Sequence, residues 1–104
     1  MDNRDSREHL QDILEDLMGS RNVYYQAPGD DEMHYPCIVY DLATVDAKHA
    51  DNRVHHRHNK YTLTLIDPDP ESIFLDKLEE FPMCSHDRRY TADHLHHDVF
   101  TLYF

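Results

Sequence analysis

The sequence predicts an α+β domain in which a mixed or antiparallel sheet carries two helices packed on it, in the order αβββαββ. Three observations lead there. Apolar residues recur at helical spacing in two places, Leu10 to Met18 and Phe74 to Phe81. They alternate with period two around Ile38 to Leu42, Tyr61 to Leu65 and Val99 to Phe104. Clusters of Pro, Gly and Asp punctuate the intervals. At 104 residues the chain reads as a single domain, residues 1–104, long enough to bury a core without disulfides.

The first helix spans residues 3–18. Leu10, Ile13, Leu14, Leu17 and Met18 form its inner stripe, opposite Asp5, Glu8, Asp12, Glu15 and Asp16, and Gly19 stands where a C-terminal cap belongs. The earlier acids complement the positive end of the helix dipole, whereas Glu15 and Asp16 lie at the wrong end for that. Val23-Tyr-Tyr-Gln is a short strand closed by the turn formers Ala27-Pro-Gly-Asp-Asp. Tyr35 to Leu42 is the next strand, with Ile38, Tyr40 and Leu42 on one face and Cys37 and Val39 on the other. Pro36 fits only at its start, since it has no N–H for a ladder.

The longest irregular stretch, Ala43 to His55, follows, and loops of this length in small domains are usually functional or mobile. The chain resumes as a half-buried strand from His56 to Ile66, in which Tyr61, Leu63 and Leu65 alternate with Lys60, Thr62 and Thr64. Asp67-Pro-Asp-Pro-Glu-Ser is a helix-entry signal, with Asp69 as cap, Pro70 preset for the first helical position and Glu71 in the first turn. The spacing predicts a helix over 70–81, with Phe74, Leu75, Leu78 and Phe81 inward and Pro82 as its stop. Strands at about 84–91 and 96–104 complete the chain, joined by a short polar turn, with Phe100, Leu102 and Phe104 on one face and Val99 and Tyr103 on the other. The final strand runs to residue 104, so the chain is expected to end inside its own sheet, whose edges, with unpaired N–H and C=O groups, suit docking.

The net charge of -11 is unevenly distributed. Residues 1–35 carry nine acids against three bases, residues 36–66 three against four, and residues 67–104 nine against three. Binding to nucleic acid phosphates rests on Lys and Arg, so a free DNA-binding role is disfavoured. The acids read either as a solubilising surface or as a wall past which DNA must slide without sticking. Cys37 and Cys84 lie in strand-like apolar contexts without metal-ligand spacing and are expected to be buried free thiols in a reducing compartment. The N-terminal residues hold no apolar leader, and no stretch approaches the ~20 apolar residues of a membrane span.

The histidines His55, His56 and His58, with His94, His96 and His97, raise the question of a metal site. Strand neighbours point to opposite faces, so only His56 with His58, or His94 with His96, share one. No diagnostic ligand spacing accompanies them, and they read as exposed polar residues. Asp67, Asp69 and Glu71 are explained by capping and turn chemistry. Ser85 has His86 and Asp87 beside it only along the chain, whereas triad members meet in space. Gly19 and Gly29 form no phosphate cradle. The residues thus point to no enzyme, no catalytic or metal site and no cofactor. Asp87-Arg88-Arg89-Tyr90, with Asp93 and His97, offers residue types that anchor interfaces or an internal ion pair that fixes the last hairpin.

Three stretches, Tyr35-Pro-Cys-Ile-Val-Tyr, Lys60 to Ser72, and Cys84 to Phe104, together with the leading amphipathic helix, resemble the tail terminator or tail-completion (head-to-tail joining) proteins of tailed bacteriophages. The resemblance implies a small α+β structural virion protein that forms a homo-oligomeric ring, often a hexamer. Such a ring caps the tail tube at its head-proximal end and joins it to the head-tail connector after assembly in the host cytoplasm. Its partners would be itself, the tail tube protein and the connector, with DNA passing through unbound and no membrane involved. The stretch Asp93 to Asp98 is richer in histidine than that family's pattern.

Duplex DNA carries one charge per ~1.7 Å, so a basic lumen would trap it. An acidic wall would repel it over about 10 Å at ordinary salt. Glu8, Asp12, Glu15 and Asp16 are the candidate acidic lumen or surface. Candidate interface residues are Asp46, Lys48, His49, Asp51, Asn52 and Arg53 of the long loop, His56 and His58 after it, and Arg88, Arg89 and Tyr90. The rival reading is an acidic DNA mimic that inhibits a host DNA-binding enzyme, which would need its acids on one continuous surface. The sequence divides them between two helices and several turns.

Overall fold

The computed structural model describes residues 3–27, 29, 33–44 and 59–104, excepting the side chains of residues 3–5 and 44. Its elements are α1 (Asn3–Met18), β1 (Val23–Tyr25), β2 (Cys37–Thr44), β3 (Lys60–Asp67), α2 (Phe74–Glu79), β4 (Cys84–Ala92) and β5 (Leu95–Tyr103). The strands form one mixed sheet in the order β1-β2-β3-β5-β4, with β1 and β2 parallel and every other pair antiparallel. The fold is α+β in the predicted order.

Alternation along the strands sorts the sheet into two unlike faces. Ile38, Tyr40, Tyr61, Leu63, Leu65, Phe100 and Leu102 point one way and pack with Leu10, Leu14 and Met18 of α1 and Leu78 of α2 into one core. Both helices therefore lie on the same side. Burying an aliphatic side chain is worth roughly 1.5–3 kcal/mol, so this layer supplies most of the driving force. Gln11 ties α1 to the sheet by accepting the Tyr40 hydroxyl proton at 2.5 Å and donating to the Val23 carbonyl at 2.9 Å. Gly19, at φ 70, ends α1. Its N–H reaches the Asp16 carbonyl at 3.2 Å while Ser20 N–H reaches that of Glu15 at 3.2 Å, the paired bonds of a Schellman cap.

The opposite face has a smaller cluster of Cys37, Val39 and Ile66, with Tyr24, Met33, Tyr35 and Leu95 packed against it. No described helix covers it, and Thr62, Thr64 and Thr101 remain partly exposed there.

The last strand is interior, because β5 pairs with β3 from Lys60↔Tyr103 to Asp67↔His96 and with β4 on its other side. The reason lies in composition. β5 presents Phe100 and Leu102 to one face and buried Val99 to the other, whereas β4 is exposed at every position after Cys84 and tolerates the edge. The second helix spans 74–79 and not 70–81. Asp67 Oδ1 accepts the N–H of Asp69 at 2.8 Å, and Asp69 Oδ1 accepts that of Glu71 at 2.9 Å. These side chains hold the backbone in successive turns that compete with helix, so α2 begins after Ser72, whose Oγ accepts from Phe74 N–H at 3.2 Å. The predicted inward residues nonetheless reach the core: Leu78 is fully buried and Phe74, Leu75 and Phe81 pack against it. The strand expected from His56 begins at Lys60 among the described residues.

Leu78→Ala should cost about 2–5 kcal/mol by urea unfolding, as for other fully buried leucines. A loss under about 0.5 kcal/mol would mean that α2 is peripheral to the core.

The thiols supply a second test. Burial, then the charge of Asp67, pushes Cys37 up from 9.0 to about 12, while burial and then Asp87 push the partly buried Cys84 up to about 11. Each folded value lies above the unfolded one. The stability these thiols contribute is thus complete below pH 9 and lost as pH rises through 11 to 12. At pH 8 iodoacetamide should leave Cys37 of the native protein unmodified and label both cysteines in urea, as read by intact mass. Rapid native labelling of Cys37 would contradict its burial.

Candidate docking surfaces

The β4–β5 hairpin turns through Asp93 and His94, whose φ values of 52 and 65 fit the two-residue turn that matches strand twist. Its register shifts between His86↔Phe100 and Arg88↔Val99, leaving Asp87 as the extra residue of a β-bulge. This insertion decides where the following side chains point. Arg88 partners Val99 on the open face, and Arg89 partners Asp98 on the helix side. Asp87 also serves the open face, where its carboxylate accepts the Thr101 hydroxyl.

Asp98 is 3% exposed, and its charge is satisfied rather than stranded. Arg89 Nε donates to its Oδ1 and Oδ2 at 3.0 and 3.3 Å, and His86 Nε2 lies 2.9 Å from Oδ1. The same guanidinium donates through Nη2 to the Pro70 carbonyl, fastening the turn before α2 to the sheet edge. His86 also meets Phe100 edge-on, with centroids 5.1 Å apart. Arg89 is thus engaged internally, and the acid it finds is Asp98 instead of Asp93.

Arg88 and Tyr90 do the opposite. Tyr90 stacks on His97 with centroids 4.6 Å apart and planes at 13°, and the Arg88 guanidinium lies 5.6 Å from the Tyr90 ring. Tyr90 stays 44% exposed, so a cation and an aromatic ring face solvent at the rim of the sheet face that no described helix covers. The neighbouring histidines diverge. His96 approaches Thr91 on the helix side, His97 bonds the Leu95 carbonyl and His94 occupies the turn. Among the described residues no group of three His, Cys, Asp or Glu is placed to hold a metal.

Glu8, Asp12 and Asp16 are exposed on α1, while the half-buried Glu15 accepts from Gln11 Nε2 at 2.9 Å. Asp69, Glu71, Asp76, Glu79 and Glu80 are exposed on α2 and the turn entering it. Because both helices cover one sheet face, acids that are scattered along the chain gather on one layer. Asp46, Lys48, His49, Asp51, Asn52, Arg53, His56 and His58 lie outside the described residues.

An apolar groove escaped the sequence reading. It encloses about 630 Å³ between His9 and Ile13 of α1 and the Phe81–Met83 turn, over Tyr103 and Phe104. Its signal in the sequence was Met83, a large apolar residue placed after a helix-stopping proline, where burial has little to offer.

The division of the two arginines between faces is measurable. Asp98→Ala should destabilise by about 1–3 kcal/mol, because it removes the charge-assisted hydrogen bonds that Arg89 and His86 make to a buried carboxylate. Arg88→Ala should change stability by no more than about 0.5 kcal/mol. Equal losses in urea unfolding would contradict the bulge geometry.

No family model matches the chain, and comparison with curated proteins and with solved structures returns no significant match. A role must be argued from these surfaces and from the residues that form them.

Proposed function

We propose that the protein is a structural, non-enzymatic subunit of a tailed-phage particle, forming a ring that caps the tail tube and joins it to the head connector. The observation that carries the reading is the sheet face that no described helix covers, with the exposed Arg88 and Tyr90 at its rim. Arg and Tyr anchor protein interfaces efficiently because each combines a large contact area with directional polar groups. The β4 edge bears a bulge and two arginines, devices that discourage indiscriminate strand addition. Side-chain docking on the open face is favoured over backbone pairing. In this reading the acidic helix layer, with Glu8, Asp12 and Asp16, faces passing DNA. The segment expected to be a loop, with Asp46, Lys48, His49, Asp51, Asn52 and Arg53, and the adjoining His56 and His58 are further candidate contacts with the next subunit or the tube.

One observation favours the rival reading, an acidic DNA mimic directed at a host enzyme: the exposed carboxylates of α1 and α2 share one layer. The two readings separate cleanly. In the encoding virus, an Arg88→Glu/Tyr90→Ala variant should keep its melting temperature yet leave full heads and tails unjoined by electron microscopy. Normal joined particles would remove the open face from the mechanism. A tight complex of the purified protein with a host DNA-binding enzyme, without any joining defect, would replace the ring by the mimic.

A further inference from the structure

The groove beside α1 has walls of different origin and a consistent character. His9 and Ile13 form one side, the Phe81–Met83 turn the other, and Tyr103 and Phe104 the floor, with His9 and Phe104 ring centroids 5.8 Å apart. Among the described residues no lysine or arginine lines it. Met83 is 56% exposed and sits at φ 60, a left-handed conformation that is unfavourable for an L-residue and that glycine would adopt freely. Neither core packing nor the backbone calls for methionine there. A pliable thioether at the lip of an apolar trough does suit contact with a partner.

The rims identify the partner's chemistry. Residues three apart on a helix share a face, so Asp12 lies beside His9 and Asp16 beside Ile13, both exposed. On the other wall, Glu79 and Glu80 are exposed and immediately precede Phe81. The described cations of the helices are turned elsewhere: Arg7 lies over Tyr25 at 4.6 Å, and Lys77 over Phe74 at 5.6 Å. Carboxylates thus flank an apolar trough on both sides, a field that repels anionic ligands and attracts cationic ones.

We infer that this groove docks a cationic protein segment, one that seats an apolar side chain against Ile13 and Met83 while flanking lysines or arginines meet Asp12, Asp16, Glu79 and Glu80. The inference stands apart from the joining role and survives its failure, because it uses the helix side of the sheet and not the open face.

The probe is a short synthetic leucine–lysine peptide in helical pattern, titrated into the full chain and followed by amide and methyl chemical shifts. Two controls accompany it: a leucine–glutamate peptide of the same pattern and a serine–lysine peptide of the same charge. The leucine–lysine peptide should shift His9, Ile13, Met83 and Phe104, and bind at least tenfold more tightly than either control. Met83→Gly keeps the turn conformation while removing the side chain, and should weaken binding severalfold. An Asp16→Lys/Glu80→Lys variant should do likewise, and added salt should weaken binding by the wild type. Equal binding of the leucine–glutamate peptide, equal binding of the serine–lysine peptide, or no loss in Met83→Gly would each overturn the proposal. So would shifts at these residues that grow with protein concentration in the absence of peptide, which would make a second copy of the chain the occupant.

Discussion

The register of β5 is the constraint on which the rest of this structure depends. Held between β3 and β4, it places Phe100 opposite Leu63 and Leu102 opposite Tyr61, so that all four side chains enter the helix-covered core. A slip by one residue would turn Phe100 and Leu102 to the open face and drive Val99 and Thr101 under the helices. Burial of one face fixes the register. The register in turn sets what each neighbouring strand shows to solvent.

The same register carries Asp98 inward, and a buried carboxylate is tolerated only when its lost hydration is replaced by hydrogen bonds. Arg89 and His86 supply them from β4, and the bulge at Asp87 lets Arg89 face Asp98 while Arg88 faces out. One inserted residue therefore performs two tasks. It completes the hydrogen bonding of a buried carboxylate through an arginine that fastens the edge strand to the Pro70 turn, and it frees a cation beside Tyr90 on the opposite face. Stability and recognition are divided between consecutive residues of one strand.

Charge follows the same two-sided logic. Stacking both helices on one face concentrates carboxylates on that layer and leaves the other face threonine-rich, with Arg88 and Tyr90 at its rim. Among the described residues the helix side is the more anionic, which favours a preferred orientation toward partners, since long-range repulsion acts on that side and short-range contacts on the other. The proposed joining role uses the side without described helices for proteins and the acidic helix layer for DNA. The groove adds a cationic segment as a third class of partner.

The sequence by itself determined the element types and their order, because period and punctuation are local properties of the chain. The α1 stripe with its Gly19 cap, the opposed faces of Ile38 and Cys37, and the inward Phe74 and Leu78 were all legible from spacing. The length of α2 was not, because Asp67, Asp69 and Ser72 are good caps and equally good turn formers, and their bonds in place select turns. Strand order was also beyond the sequence. Pairing partners are chosen by burial on both faces at once, which put β5 inside and the polar β4 at the edge. Of the candidate site residues, the exposed acids of α1 and the pair Arg88 and Tyr90 were legible as surface. The separation of Arg88 from Arg89 was decided by a bulge that spacing alone does not encode. The groove needed tertiary structure altogether, since residues 9, 13, 83 and 104 meet only when helix, turn and strand end are packed together.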